Sequence, residues 1–269
     1  MSSHRPLPAV VGILNVTPDS FSDGGLWLDP LEAIRRGLHL ADEGADWIDV
    51  GGESTRPGAH DVADQEQINR VVPVVRALTR ARPHVVCSVD TRSPTVARAA
   101  IDAGATVVND VSGLRNPTMR ALVAERGVRA VVMHSRGTPT TMADLCAYDD
   151  VVADVKETLR RWTDDAIGAG VAADRLIVDP GLGFAKRGAD NATLVAATAQ
   201  LGSLGYPVFV GASRKRFVGE LTGREEPGDR LAGSLGVALA AWTAGASFVR
   251  VHDVSATRDA LRAFAACLP

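Results

Sequence analysis

Aromatic side chains make up only 4% of this chain, and cysteine and charge imbalance are equally scarce. With six Phe, four Trp and two Tyr, the interior has to be filled by Ala, Val, Leu and Ile, which suits buried parallel strands and packed helices better than an aromatic-rich sandwich. Cys87, Cys146 and Cys267 are odd in number, widely spaced and free of any CxxC. That excludes a readable disulfide framework or zinc knuckle and points to a reducing, cytoplasmic setting. A net charge of −3 over 269 residues leaves no basic excess of the kind a nucleic-acid binder carries. Long apolar runs are scarce too. Residues 7–16 are interrupted by Pro8, Gly12 and Asn15, so they do not form the apolar core of a secretory signal. Residues 231–249 carry no charge, yet Gly233, Ser234, Gly236, Thr243, Gly245 and Ser247 make them a helix, a glycine stop and a strand rather than a membrane span. No GxGxxG follows the first apolar run, and Walker, HExxH and GxSxG motifs are missing. Dinucleotide folds, P-loop hydrolysis, zinc proteolysis and serine esterase chemistry therefore have no support.

What is present is one unit repeated eight times. Short apolar runs at 10–16, 47–50, 85–89, 106–108, 130–133, 176–178, 208–210 and 248–251 alternate with segments long enough for a helix. Asp29-Pro30, Ser93-Pro94 and Asn116-Pro117 each place a capping side chain before a proline at a helix start. Gly44, Gly104, Gly127, Gly170, Gly205 and Gly245 fall shortly before a strand, where a left-handed residue ends a helix. Strict alternation in a chain of this length predicts a single-domain (β/α)8 TIM barrel over residues 1–269.

In such a barrel the chain ends of all strands meet on one face, where chemistry sits. Collected there are Asn15, Asp19 and Asp23, then Asp49 with Glu53-Ser54-Thr55-Arg56, Asp90, Asn109-Asp110, His134, Asp179, Ser213-Arg214-Lys215-Arg216, and Arg250 with His252. Asp90, Asn109 and Asp179 are hydrogen-bonding groups of the kind that fix the edge of a flat heterocycle. Arg56, Lys215, Arg250 and His252 form a cationic group suited to phosphate oxygens. Lysine occurs only at Lys156, Lys186 and Lys215. Two of the three follow strands six and seven, as wanted point charges or, for Lys186, as a solvated side chain.

These blocks are recognisable. Asn15-Val16-Thr17-Pro18-Asp19-Ser20-Phe21-Ser22-Asp23-Gly24-Gly25, Asp49-Val50-Gly51-Gly52-Glu53-Ser54-Thr55-Arg56-Pro57-Gly58, Ser88-Val89-Asp90-Thr91, Asn109-Asp110-Val111-Ser112-Gly113, Asp179-Pro180-Gly181-Leu182-Gly183-Phe184, Gly211-Ala212-Ser213-Arg214-Lys215-Arg216 and Arg250-Val251-His252-Asp253 make the chain resemble the dihydropteroate synthases, folate-pathway transferases targeted by sulfonamides. The resemblance implies condensation of 6-hydroxymethyl-7,8-dihydropterin pyrophosphate with p-aminobenzoate, releasing pyrophosphate. It assigns pterin binding to Asp90, Asn109, Met133, Asp179, Phe184, Gly211 and Lys215, and Mg²⁺ with pyrophosphate to Asn15. Arg250 and His252 would hold the leaving pyrophosphate, and with Asp90 and Lys215 they form the catalytic set. Phe21, Asp23, Thr55, Arg56, Pro57 and Arg216 would line or close the p-aminobenzoate site. The same resemblance implies sulfonamide inhibitors and a homodimer as partners. Ser135 and Asp190 depart from the family's usual residues. Two other readings stay open: a pterin-binding paralogue without synthase activity, and a methyltetrahydrofolate–corrinoid methyltransferase domain. A Schiff-base aldolase built on Lys215 fits less well, because this lysine follows Arg214 in a loop rather than projecting from a strand.

Overall fold

The computed structural model describes residues 5–17, 30–54, 61–138 and 140–268. Eight parallel strands, β1 Ala9–Asn15, β2 Trp47–Gly51, β3 Val86–Asp90, β4 Val107–Asp110, β5 Arg129–Met133, β6 Leu176–Asp179, β7 Phe209–Val210 and β8 Phe248–Val251, form one sheet. Its order is β6-β5-β4-β3-β2-β1-β8-β7. The remaining gap, between β6 and β7, is bridged at Val178–Val208, with Val178 N donating to Pro207 O at 3.0 Å. A sheet whose two edges meet this way is a (β/α)8 barrel, as the alternation predicted.

Helices alternate with the strands: α1 Pro30–Asp42, α2 Asp64–Ala81, α3 Pro94–Asp102, α4 Pro117–Arg126, α5 Val151–Gly168, α6 Gly188–Ala196, the short α7 Thr198–Gly202, α8 Arg216–Thr222, α9 Leu231–Thr243 and α10 Val254–Ala266. Ser93 accepts from Val96 N and Asn116 from Thr118 N, so both expected caps are made. The third, Asp29, lies outside the described residues, although α1 does begin at Pro30. All six expected stop glycines take positive φ, between 61° and 118°. One helix per segment was expected, whereas the segment between β6 and β7 holds α6 and α7, and that between β7 and β8 holds α8 and α9. Gly223 (φ 68°) ends α8 in a left-handed cap before a turn at Pro227–Arg230 starts α9. Residues 231–249 are helix, glycine and strand, and no described helix is long and apolar enough to cross a membrane.

Side chains alternate along each strand, and this sorts the apolar residues into two clusters. Val10, Leu14, Ile48, Val50, Val89, Val108 and their equivalents face the helices. Val11, Trp47, Val107, Val131, Ile177 and Phe209, with Val86 and Phe248 against them, fill the barrel floor. Trp47 and Phe248 pack with ring centres 4.5 Å apart, and Phe209 lies 6.0 Å from Phe248. Three of the chain's few aromatics thus pack together inside the barrel. Two residues above this floor on β2, β4, β6 and β8 stand Asp49, Asn109, Asp179 and Arg250, and the register lines up Asn15, Gly51, Asp90 and Asn109 across four strands.

Candidate active site

Period two decides which polar residues meet. Asp90, Asn109, Asp179 and Arg250 share the inner face with Asp49, a residue counted at this face from sequence but given no role. Asp49 is fully buried, and its Oδ2 accepts from Asn109 Nδ2 (2.8 Å) and Arg250 Nε (2.7 Å). Arg250 Nη2 reaches Asp90 Oδ2 at 2.8 Å. One guanidinium therefore ties β2, β3 and β8 together, and one carboxylate orients Asn109. Asp49 could have been found from parity alone, because Trp47, Asp49 and Gly51 occupy one face of β2.

The cluster is built to receive donors. Among the described residues Asp90 Oδ1 and Asp49 Oδ1 are buried without a hydrogen-bond partner, a state that costs free energy unless a donor is supplied. Burial pushes the Asp90 carboxyl up to about 7, against the pull of Arg250. Burial likewise raises Asp179, against the pull of Lys215, while its Oδ1 accepts from Gly181 N at 2.6 Å. Lys215 is held down to about 8, first by burial, with Asp179 acting in the opposite sense. Its ammonium donates to Leu182 O and stands 4.7 Å from the centre of the Phe184 ring. Met133, buried on the same inner face, gives an apolar wall, and Gly211 leaves the wall beside Arg250 open.

The loop after β7 is shaped by Arg214, whose place in a cationic run gives it no structural role on sequence alone. Arg214 takes φ 57°, a left-handed conformation costing about 1–2 kcal/mol for a non-glycine residue. Its amide donates to Ser234 Oγ (2.9 Å), its carbonyl accepts from Arg230 Nη1 (3.0 Å), and its guanidinium forks onto Asp253 at 3.0 and 2.5 Å. The bend sends Ser213 toward His252, whose Nδ1 lies 3.0 Å from Ser213 Oγ, and Lys215 toward Asp179.

Other expected members are placed differently. Asp110 and His134 face away from the lumen. Asp110 organises its own turn by accepting from Ser112 N (2.8 Å), Ser112 Oγ (2.6 Å) and Leu114 N (3.2 Å). Lys186 is not solvated: it is only 7% exposed and bonded to His134 Nδ1 at 3.0 Å. Arg216 opens α8 with its side chain 91% exposed and paired to Glu220 at 2.9 Å. Asp190 accepts from Arg187 N (3.1 Å) at the start of α6, and Ser135 is buried. Phe21, Asp23, Thr55, Arg56 and Pro57, as well as Asp19, lie outside the described residues. An open cleft of about 770 Å³ beside Arg136, Tyr148, Asp154 and Arg187 is separate from the cluster, and Asp154 is already paired with Arg136.

Asn15, half-buried at the end of β1, has its Oδ1 within 3.8 Å of where a Cβ on Gly51 would stand, next to Asp90. Among the described residues no group of three or more His, Cys, Asp or Glu could hold a metal. A single amide oxygen suits Mg²⁺, which keeps most of its waters and takes phosphate oxygens from a substrate.

A parallel barrel whose strand ends gather buried carboxylates, an amide and two cations has the layout of an enzyme site. The pterin binding enzyme family model matches residues 11–252. The chain is 47% identical over 267 residues to the dihydropteroate synthase of Mycobacterium leprae, covering 96% of this chain and 93% of that one. It is 50% identical over 247 residues to a probable bifunctional folylpolyglutamate synthase/dihydropteroate synthase of Haloferax volcanii, of which it spans 29%. Among solved structures, Xanthomonas albilineans dihydropteroate synthase with 4-aminobenzoic acid aligns at TM-score 0.92 and 49% identity, over 98% of this chain and 94% of that one. The same enzyme in complex with 7,8-dihydropteroate aligns at 0.89 and 46%, over 98% and 95%. A Yersinia pestis dihydropteroate synthase with a sulfonamide drug aligns at 0.90 and 40%, over 97% and 93%. The chain belongs to the pterin binding enzyme family and, within it, to the dihydropteroate synthases.

Proposed function

We propose that this protein condenses 6-hydroxymethyl-7,8-dihydropterin pyrophosphate with p-aminobenzoate to give 7,8-dihydropteroate and pyrophosphate. The observation that carries the reading is the pair of buried oxygens on Asp49 and Asp90, without a partner among the described residues, beside Asn109 and Asp179. They form an acceptor-rich floor of the kind that pairs with the amino and ring N–H donors of a pterin. Asp90, Asn109 and Asp179 hold the pterin edge, Met133, Gly211 and Phe184 bound its faces, and Lys215 donates to it.

The carbon–oxygen bond to pyrophosphate breaks at the pterin methylene, positive charge spreads into the ring, and the aryl amine attacks and then loses its proton. Asp90 and Asp179 favour the developing cation; Arg250 and His252 favour the departing anion. Ser213 holds His252 by Nδ1 and so sets the ring's orientation. Asn15 would hold Mg²⁺, which supplies charge neutralisation for the pyrophosphate. Asn15→Ala is expected to weaken Mg²⁺-dependent pyrophosphate binding by about tenfold in titration calorimetry, from the loss of one ligand. Equal binding in both proteins would remove Asn15 from the metal. Phe21, Asp23, Thr55, Arg56, Pro57 and Arg216 form the p-aminobenzoate side, which is also where a sulfonamide would compete.

Wild-type protein should bind the pterin in calorimetry and Asp179→Asn should not; equal affinities would sink the assignment. We read residues 1–269 as one domain acting in the cytoplasm, in keeping with three free cysteines. It pairs with a second copy through α9, which carries no charged residue and leaves Leu231, Ala232, Gly236 and Ala240 exposed. Sedimentation of purified protein as a monomer at micromolar concentration would contradict the dimer.

A further inference from the structure

We infer that Lys186 is a positioning residue for the pterin pocket, clamping the loop after β6 so that Phe184 and the Leu182 carbonyl stand where Lys215 meets them; this rests on the pterin reading above. The loop is a strained turn closed by one backbone hydrogen bond, Phe184 N to Gly181 O at 3.0 Å. Gly181 (φ 66°), Gly183 (φ 79°) and Ala185 (φ 51°) are all left-handed within five residues, and Ala185 takes that conformation at a steric cost. A Cβ on Gly181 would come within 1.9 Å of His134 O, so the loop also presses directly onto the strand end beside it.

Into this turn the Lys186 side chain folds back. Its Nζ lies 3.0 Å from Gly181 O, 2.9 Å from Phe184 O and 3.0 Å from His134 Nδ1. Three ammonium hydrogens meet three protein acceptors, so the group reinforces the turn bond between the two ends of the segment 181–184 and ties both ends to His134, just beyond β5. Gly183 N, donating to Asn191 Oδ1 at 2.6 Å, secures the middle. The outer side of that segment is what Lys215 touches, through Leu182 O and the Phe184 ring.

His134 completes the clamp as an acceptor. Taking a donor at Nδ1 requires the neutral ring protonated at Nε2, and burial with Lys186 beside it pushes the ring's pKa down to about 2. The ring stacks on Trp162, 5.9 Å away and inclined by 21°, and Trp162 leaves no room for a side chain at Gly113. Burial lowers Lys186 itself to about 7, opposed by Asp179. The lysine spends its donors on the protein and acts on the pterin only through the loop.

The test compares Lys186→Met, His134→Asn and His134→Leu with the parent, reading 6-hydroxymethylpterin affinity by fluorescence and KM for each substrate. Lys186→Met is expected to lose about tenfold or more in pterin affinity, with a cooperative melt and KM for p-aminobenzoate unchanged within about twofold. Its effect should not add to that of Phe184→Ala, since both act through one wall. His134→Asn keeps an acceptor at the Nδ1 position and should bind the pterin better than His134→Leu. That contrast stands even if Lys186→Met fails to fold. Parent-like pterin affinity in folded Lys186→Met, additivity with Phe184→Ala, or equal affinities in the two His134 variants would overturn the inference. A parent that itself binds no pterin would instead overturn the functional reading.

Discussion

Arg250→Leu is expected to lower kcat/KM by about a thousandfold or more, the scale of losing a preorganised charge at the point where an anion develops. Two effects combine. The pyrophosphate loses a guanidinium, and two carboxylates lose the cation they share, at 2.7 Å from Asp49 and 2.8 Å from Asp90. Breaking a buried pair by removing one partner costs about 3–5 kcal/mol, because the other charge stays behind unpaired. Arg250 also acts to lower the Asp90 carboxyl, so its loss sends Asp90 still higher and favours the neutral acid. Activity and stability can be separated by adding Asp49→Asn. The double variant should recover much of the urea midpoint lost in Arg250→Leu while remaining inactive. Recovery of both together would mean that Arg250 serves only to hold the barrel.

Asp90→Asn should abolish tight pterin binding while gaining on the parent in stability as pH rises. Its carboxyl is raised to about 7, first by burial, so ionisation is harder in the folded state than in the unfolded chain. Stability from such a group is fully present below its unfolded pKa, near pH 4, and is lost as pH climbs through the folded value. Asparagine has no such loss, so the unfolding free energy of variant minus parent should increase between about pH 4 and 7 and level off above. Taking the difference removes titrations common to both proteins. A difference that stays flat across that interval would show that the Asp90 carboxyl is not raised on folding. Unchanged pterin affinity in the variant would remove Asp90 from the binding edge.

Much of this architecture is legible in the sequence. Each apolar run coincides with a strand to within a residue or two, and each of the six stop glycines turns left-handed, because only glycine does so without steric cost. The inner face was partly legible. Asn109 and Asp110 are adjacent on one strand and cannot both point inward, so alternation alone assigns one to the lumen and one to the wall. The same reasoning picks out Asp49. Lys186 was not legible, since its burial depends on a left-handed loop and on His134, 52 residues earlier. Nor was Arg214 in its tie to Asp253: an arginine in a cationic run looks like a phosphate ligand until the backbone bend gives it another partner.

The most direct measurement is pyrophosphate release by purified protein, with the pterin pyrophosphate, p-aminobenzoate and Mg²⁺ each omitted in turn. Release that requires all three, matched by dihydropteroate formation, is the expected result. Binding of the pterin pyrophosphate without any release would contradict it and leave a pterin-binding barrel that performs no transfer.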